Sequence, residues 1–209
     1  FRIGETEILL YYGKPSPYNV AQEIYIDMIP VTDYITSGVW QIILNPTRVV
    51  EGQYDLWLPS ENVLNRGTGF LYPDEEVTLT IPSTADKVIS VGAYDALTFS
   101  YASFSGRGYT WQDERTKPDL VASGVNVRTT AVGGGMTVVS GTSFATPFVT
   151  GASALLMEWG IVRGNDPFLY GEKVKAYLRR GARELPGFGK YPNREVGYGR
   201  LCLERSLPD

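Results

Sequence analysis

The chain has 209 residues, 43% hydrophobic, 12% aromatic and 20% charged, enough for one large globular domain and too apolar for a disordered tail. Lys and Arg number 19 against 23 Asp and Glu, and the net charge of −4 argues against a nucleic-acid partner. The absence of His excludes a His-ligated metal and any Ser-His or Cys-His pair made within the chain, and the lone Cys202 excludes an internal disulfide and fits a reducing compartment. Charge is expected to break the apolar runs before the roughly 18 residues of a spanning helix, so no membrane partner is expected. Phe1-Arg2-Ile3-Gly4 is neither an initiator Met nor a secretory signal; it reads as the inside of a strand, as expected for a piece of a longer polypeptide.

Residues 1–80 read as β. The runs 5–12, 21–28, 38–44 and 53–58 are short and rich in aromatic and β-branched residues, with turn material between them at Gly13, Pro15, Pro17, Asn45-Pro46, Gly52 and Pro59. Alternation such as Tyr54/Leu56/Leu58 against Gln53/Asp55/Trp57 predicts sandwich strands with one covered face, and Trp40 and Trp57 are expected in the sandwich core. This half has four basic and 11 acidic residues; residues 81–209 have 15 and 12, and the shift places a boundary near Pro73–Pro82.

Beyond it, Val88–Ala93 reads as a buried strand. Val125–Val132, Gly133-Gly134-Gly135 and Met136–Val139 read as a hairpin with a glycine turn. From Ser143 to Trp159, apolar residues recur at three- and four-residue steps on nearly all sides, predicting a buried helix against which Gly151 lets another backbone approach. Pro147 is expected in its first turn. Glu172–Arg180 predicts an amphipathic helix with Val174, Tyr177 and Leu178 inward, a solvated Lys173/Lys175/Arg179/Arg180 face and Gly181 as C-cap. Cys202, in Leu201-Cys202-Leu203, is expected to be a buried inert thiol.

The segment richest in chemistry is Ser140-Gly141-Thr142-Ser143-Phe144-Ala145-Thr146-Pro147. A strand would deliver Ser143 to a helix N-terminus, whose free N–H groups and positive dipole end stabilise an oxyanion. The same position also suits a helix N-cap, for Ser143 and for Thr142.

This segment resembles the nucleophile motif of subtilisin-like serine proteases, the subtilase or peptidase S8 family. Four further stretches agree in order: Val88–Ala93, Phe104-Ser105-Gly106-Arg107-Gly108, Lys117-Pro118-Asp119-Leu120-Val121-Ala122-Ser123-Gly124-Val125 and Gly197-Tyr198-Gly199-Arg200-Leu201. Ser123 stands where the family usually has Pro, and Phe148 where it usually has His. Sedolisin-type enzymes share Gly-Thr-Ser but use a Glu base; the Lys-Pro-Asp-Leu and Phe-Ser-Gly-Arg-Gly segments favour the subtilisin type. Met157–Ile161 followed by Gly171–Leu178 is similar to the clostridial Csp-type subtilases, which carry an inserted jelly-roll.

The resemblance implies an α/β fold: residues 81–209 as the C-terminal half of a three-layer catalytic domain with a parallel sheet, and residues 1–80 as part of the jelly-roll insert. It implies a serine endopeptidase acting on protein or peptide through a Ser143 acyl-enzyme, with the catalytic Asp and His and the oxyanion Asn upstream, on the N-terminal portion of the same polypeptide. This chain alone would then be inactive. It assigns Asp119 to a structural loop and implies a bacterial cytoplasm or spore location. No carboxylate cluster has the spacing of a calcium loop, so no metal is expected, and no cofactor is expected. The alternative function is a pseudoprotease acting as a binding or signalling module.

Overall fold

The computed structural model describes residues 1–17, 21–50, 52–59, 63–109 and 116–208. Two compact units divide the chain, Phe1–Pro59 and Ser60–Asp209.

The first unit is built on β1 (Arg2–Ile3), β2 (Thr6–Gly13) and β3 (Glu23–Pro30), an antiparallel sheet in the order β1-β2-β3. The long β2–β3 register, from Thr6↔Pro30 to Gly13↔Glu23, matches the two runs richest in β-formers. Thr6 anchors the next loop: its hydroxyl accepts the Thr36 N–H at 2.7 Å, and the Thr36 hydroxyl accepts the Glu5 N–H at 2.9 Å. The expected strands at 38–44 and 53–58 do not form, and no second sheet faces the first among the described residues of this unit. Strand propensity needs an edge to pair with, and Val39, Ile42, Ile43 and Leu44 lie exposed. Trp57 is therefore not a core residue; Trp40 is half-buried and donates its indole N–H to the Thr36 carbonyl at 3.1 Å.

The second unit is mixed α/β. Its sheet runs β5-β4-β8, with β4 (Val91–Asp95) parallel to β8 (Leu120–Ser123) and antiparallel to β5 (Ser100–Tyr101). A β6–β7 pair (Gly108–Tyr109, Thr116–Lys117) precedes β8, and the expected hairpin is β9 (Val127–Thr130) with β10 (Met136–Val139) around three positive-φ glycines. Helix α1 (Thr142–Met157) runs on into a π-turn at Glu158–Val162; α2 (Gly171–Gly181) and the short α3 (Leu203–Ser206) follow. Gly197–Arg200 closes the unit: the Val121 N–H donates to Gly199 and Leu201 N–H to Val121. The core joins Ala93, Leu120 and Ala122 of the sheet to Ala145, Val149, Ala152 and Leu156 of α1 and Val174 and Leu178 of α2.

Helix α1 differs from expectation in three ways. Only the Ala145/Val149/Ala152/Leu156 stripe is covered, while Phe148, Leu155 and Met157 stay about half exposed. Residues 129–157 carry no charge at all, so charges do not break every apolar run; Thr142–Val162 is a helix long and apolar enough to cross a membrane by length and composition. Its covered stripe meets β4, β8 and α2, which is also how a core helix packs. Third, Pro147 lies beyond the first turn, and its missing N–H leaves the Ser143 carbonyl without its i+4 donor.

Neither helical glycine plays its expected role. A Cβ placed on Gly151 would meet nothing within 4 Å, whereas a Cβ on Gly181 would meet the Ser206 backbone nitrogen at 2.4 Å. Gly181 is thus the last helical residue, kept small by α3, and Ala182 is the C-cap. In this chain Gly151→Ala is expected to raise stability by roughly 0.5–1 kcal/mol through helix propensity. Gly181→Ala is expected to lower it by roughly 1–3 kcal/mol through overpacking. Urea titration of the two variants checks both signs.

Candidate active site

Ser143 is the second residue of α1, and the chain reaches it through a tight corner. Gly141, the N-cap, has φ of 152°, a conformation that a side chain disfavours. Its N–H donates to the Gly124 carbonyl at 2.8 Å, and the Gly124 N–H donates to Tyr94 at 3.1 Å. A Cβ on Gly124 would lie 2.6 Å from Ala93 Cβ and 3.0 Å from the Gly141 carbonyl oxygen. That glycine lets β4, the end of β8 and the start of α1 meet. The Ser140 hydroxyl braces the corner by accepting the Asn126 N–H at 2.9 Å.

The N-cap has no side-chain cap, so neither Thr142 nor Ser143 plays the capping role their residue types allow. The N–H groups of Phe144 and Ala145 turn back to Gly141, at 3.1 and 3.3 Å. Among the described residues, the Ser143 hydroxyl and the N–H groups of Thr142 and Ser143 make no hydrogen bond, and Ser143 is exposed. A hydroxyl at the positive end of a sixteen-residue helix, beside unspent donors, sits where negative charge on a reacting oxygen is stabilised.

A shallow cleft of about 230 Å³ opens at this point. Thr142, Ser143 and Thr146 form one side; Pro82, Ser83, Val88, Ile89 and Val91 form the other. The second side is more than the strand expected at 88–93: β4 begins only at Val91, and residues 82–90 are turns and irregular backbone.

Close to this wall lies a buried charge cluster. Asp119, fully buried, accepts the Ser90 N–H at 2.6 Å, and its own N–H donates to the Ser90 carbonyl at 2.8 Å. Lys117 Nζ stands 3.0 Å from Asp119 Oδ2, Lys175 Nζ 3.3 Å from Oδ1, and Arg179 Nε donates to Oδ1 at 3.0 Å. The Arg179 guanidinium also packs on the Tyr198 ring, 4.9 Å from its centre. Lys175 and Arg179 are therefore not on a solvated face: one turn apart, they point together at β8 and the Ser90 segment. Lys173 and Arg180 turn elsewhere, Lys173 to Asp166 and Arg180 over Tyr177. A signal for the cluster was present in the sequence, since a Lys and an Asp flanking Pro118 next to the apolar Leu120-Val121-Ala122 must be paired if buried. Cys202 is half-buried, more open than expected.

Burial pushes the Asp119 carboxyl up, but the Ser90 N–H, Lys117 and Arg179 outweigh it and hold it below its ordinary 3.8. Burial lowers the Lys175 ammonium to about 8, against the pull of Asp119 and with the push of Lys117 and Arg179. The signs differ. Asp119 contributes stability that is whole above 3.8 and is lost as pH falls through its lowered native value. Between about 8 and 10.5 the folded chain holds fewer protons at Lys175 than the unfolded chain, so that contribution rises with pH. Thermal melts are therefore expected to show the cluster failing on the acid side, from about pH 4 downward, with no matching loss between pH 8 and 10.

The subtilase family model matches residues 71–199. The chain belongs to the subtilase family. It is 39% identical over 134 residues to the mouse membrane-bound transcription factor site-1 protease, covering 62% of this chain and 12% of that protein. It is 33% identical over 156 residues to the serine protease AprX of Bacillus subtilis, covering 65% of this chain and 33% of that one. Among solved structures, the Clostridium perfringens CspB protease superposes over 98% of this chain and 43% of its own, with TM-score 0.85 and 45% identity. The prenylagaramide maturation protease PagA superposes over 64% of this subtilase chain and 46% of its own, with TM-score 0.52 and 30% identity. These relatives are named as proteases, AprX as a serine protease, and this subtilase chain spans less than half the length of each. The fold agrees with the expected subtilisin-like α/β class, whereas a complete jelly-roll is not seen among the described residues.

Proposed function

We propose that this chain carries the nucleophile of a subtilisin-like serine endopeptidase, with Ser143 attacking the peptide carbonyl to form an acyl-enzyme that water then resolves. The observation that carries the reading is the uncapped helix N-terminus: Ser143 is exposed in a cleft, and among the described residues its hydroxyl and two neighbouring N–H groups make no hydrogen bond. A Ser hydroxyl needs a base within hydrogen-bond reach, and a group to orient that base. The chain contains no His; by the resemblance to subtilisin-like proteases, whose Asp, His and oxyanion Asn precede the nucleophile, we assign these three to the N-terminal portion of the same polypeptide. That portion is also the natural partner of this half domain, and the substrate is a protein or peptide. In acylation the base takes the Ser143 proton, the carbonyl oxygen becomes an oxyanion near the α1 N-terminus, and the protonated base passes its proton to the leaving amine. Residues 1–80 then belong to part of an inserted β-sandwich domain.

A fluorophosphonate probe applied to the longer polypeptide tests this. The expected result is one adduct per molecule, mapped by mass spectrometry to Ser143. A folded longer protein that stays unlabelled would point to a pseudoprotease that binds without cutting.

A further inference from the structure

The 86–91 segment presents two sets of groups. Its side chains Val88, Ile89 and Val91 line the cleft beside Ser143. Its main chain is held by the buried charges: Lys175 Nζ donates to the Asp86 carbonyl at 2.7 Å and to the Val88 carbonyl at 3.0 Å, and Lys117 Nζ donates to the Val88 carbonyl at 3.0 Å. The Ser90 N–H is taken by Asp119.

We infer that this cluster sets the shape of the cleft wall and that Lys175 is a positioning residue for substrate, acting through the 86–91 backbone and not on the reacting atoms; this rests on the reading of Ser143 given above. Residues 86–90 precede β4 and belong to no strand; Ser90 is tied to Asp119 through its N–H and its carbonyl, but among the described residues no ladder fixes the stretch before it. Two lysines from separate elements, β7 and α2, supply the donors that a neighbouring strand would otherwise give. Burying cations for this purpose is costly, and an apolar contact would pack α2 more cheaply. What an apolar contact could not do is bind two carbonyls of one irregular segment and so hold its side chains in register. The wall so held is mostly apolar, made by Pro82, Val88, Ile89 and Val91 with the one hydroxyl of Ser83. It suits a large apolar side chain of a bound peptide, and a displaced wall would weaken that contact more than it weakens chemistry at Ser143.

The test uses the longer polypeptide and compares Lys175→Met, Lys175→Arg and Lys173→Met. Lys175→Met keeps the side-chain length and removes the donors, while Asp119 keeps Lys117 and Arg179. For peptides with Leu or Phe at the scissile bond, Lys175→Met should raise KM by roughly ten-fold with kcat within about two-fold, the scale of one misfitted pocket contact. Ala-containing peptides should change little, fluorophosphonate labelling of Ser143 should stay within about three-fold, and Lys175→Arg should recover most of the KM, by the same argument. Lys173→Met, whose side chain faces Asp166, should match the unsubstituted protein. If Lys175→Met does not fold, Lys175→Gln, which keeps the two N–H donors of a shorter, neutral amide, should raise the same KM by about three-fold. Normal labelling with an unchanged KM for Leu and Phe peptides overturns this inference alone, as does an equal loss for every peptide carried by kcat. An unsubstituted protein that is not labelled at Ser143 overturns the nucleophile reading, and this inference with it.

Discussion

Ser143→Ala in the longer polypeptide is expected to lower kcat by about 10⁶-fold, the size of the loss on removing the serine nucleophile of subtilisin, with KM for peptides within a few-fold of its starting value. The split follows from which state the hydroxyl serves. In the ground state Ser143 lies at the cleft edge and makes no hydrogen bond among the described residues, so its removal costs little binding. In the transition state it supplies the bond that forms, and no nearby group replaces it. Thr142, one residue earlier, is half-buried and at the first position of α1, so its hydroxyl is not a substitute. The residual rate should stay above that in water, because helix N–H donors at the N-terminus of α1 still meet an oxyanion. Progress curves on a peptide substrate, with active-site titration to exclude carry-over of unsubstituted enzyme, give the number.

Asp119→Asn is expected to destabilise the second unit by about 3–5 kcal/mol, the cost of breaking a buried ion pair from one side. Lys117 is buried to 1% side-chain exposure and Lys175 to 9%, and both would face a neutral amide. The amide also brings an N–H₂ group to a site already crowded with donors, the Ser90 N–H among them. Near pH 8 Lys175 relieves part of the strain by giving up its proton, since burial has already brought it to about 8. For a chain of this length the loss corresponds to a fall in melting temperature of about 10 °C. The substitution should also flatten the acid side of the stability curve, because the group whose protonation drives that loss is gone. Calorimetry of Asp119→Asn at pH 7 and at about pH 2 checks both: the gap from the unsubstituted chain should be wide at pH 7 and narrower at the acid pH, where the lowered carboxyl takes up its proton. A gap equally wide at both would mean that the carboxylate charge is not what the cluster needs.

Much of the second unit was legible because its signals are local. The Ser140–Pro147 segment, the Gly133-Gly134-Gly135 hairpin and the α2 periodicity each name their structure within a few residues, and the observed elements fall within one to three residues of the expected ones. The first unit was less legible. The β2–β3 ladder formed where two β-rich runs could meet, but 38–44 and 53–58 read just as strongly as strands and found no edge. Strand propensity describes a willing segment, not the presence of its partner. The glycines illustrate the same limit. Gly151 and Gly181 are indistinguishable as letters, and only the approach of Ser206 separates a needed glycine from a tolerated one. The charge cluster was half legible: Lys117 and Asp119 announce a pair, while Lys175 reaches Asp86 across 89 residues, a contact that no local pattern contains.

The role of Ser143 turns on where its base comes from. The direct measurement is fluorophosphonate labelling of this chain alone and of the same chain joined to the upstream portion of its polypeptide, with the adduct site mapped in each. An upstream base predicts no labelling of the isolated chain above the Ser143→Ala background, and stoichiometric labelling at Ser143 when the upstream portion is present. Stoichiometric labelling of the isolated chain at Ser143 would show that a base lies within these residues, and would contradict it.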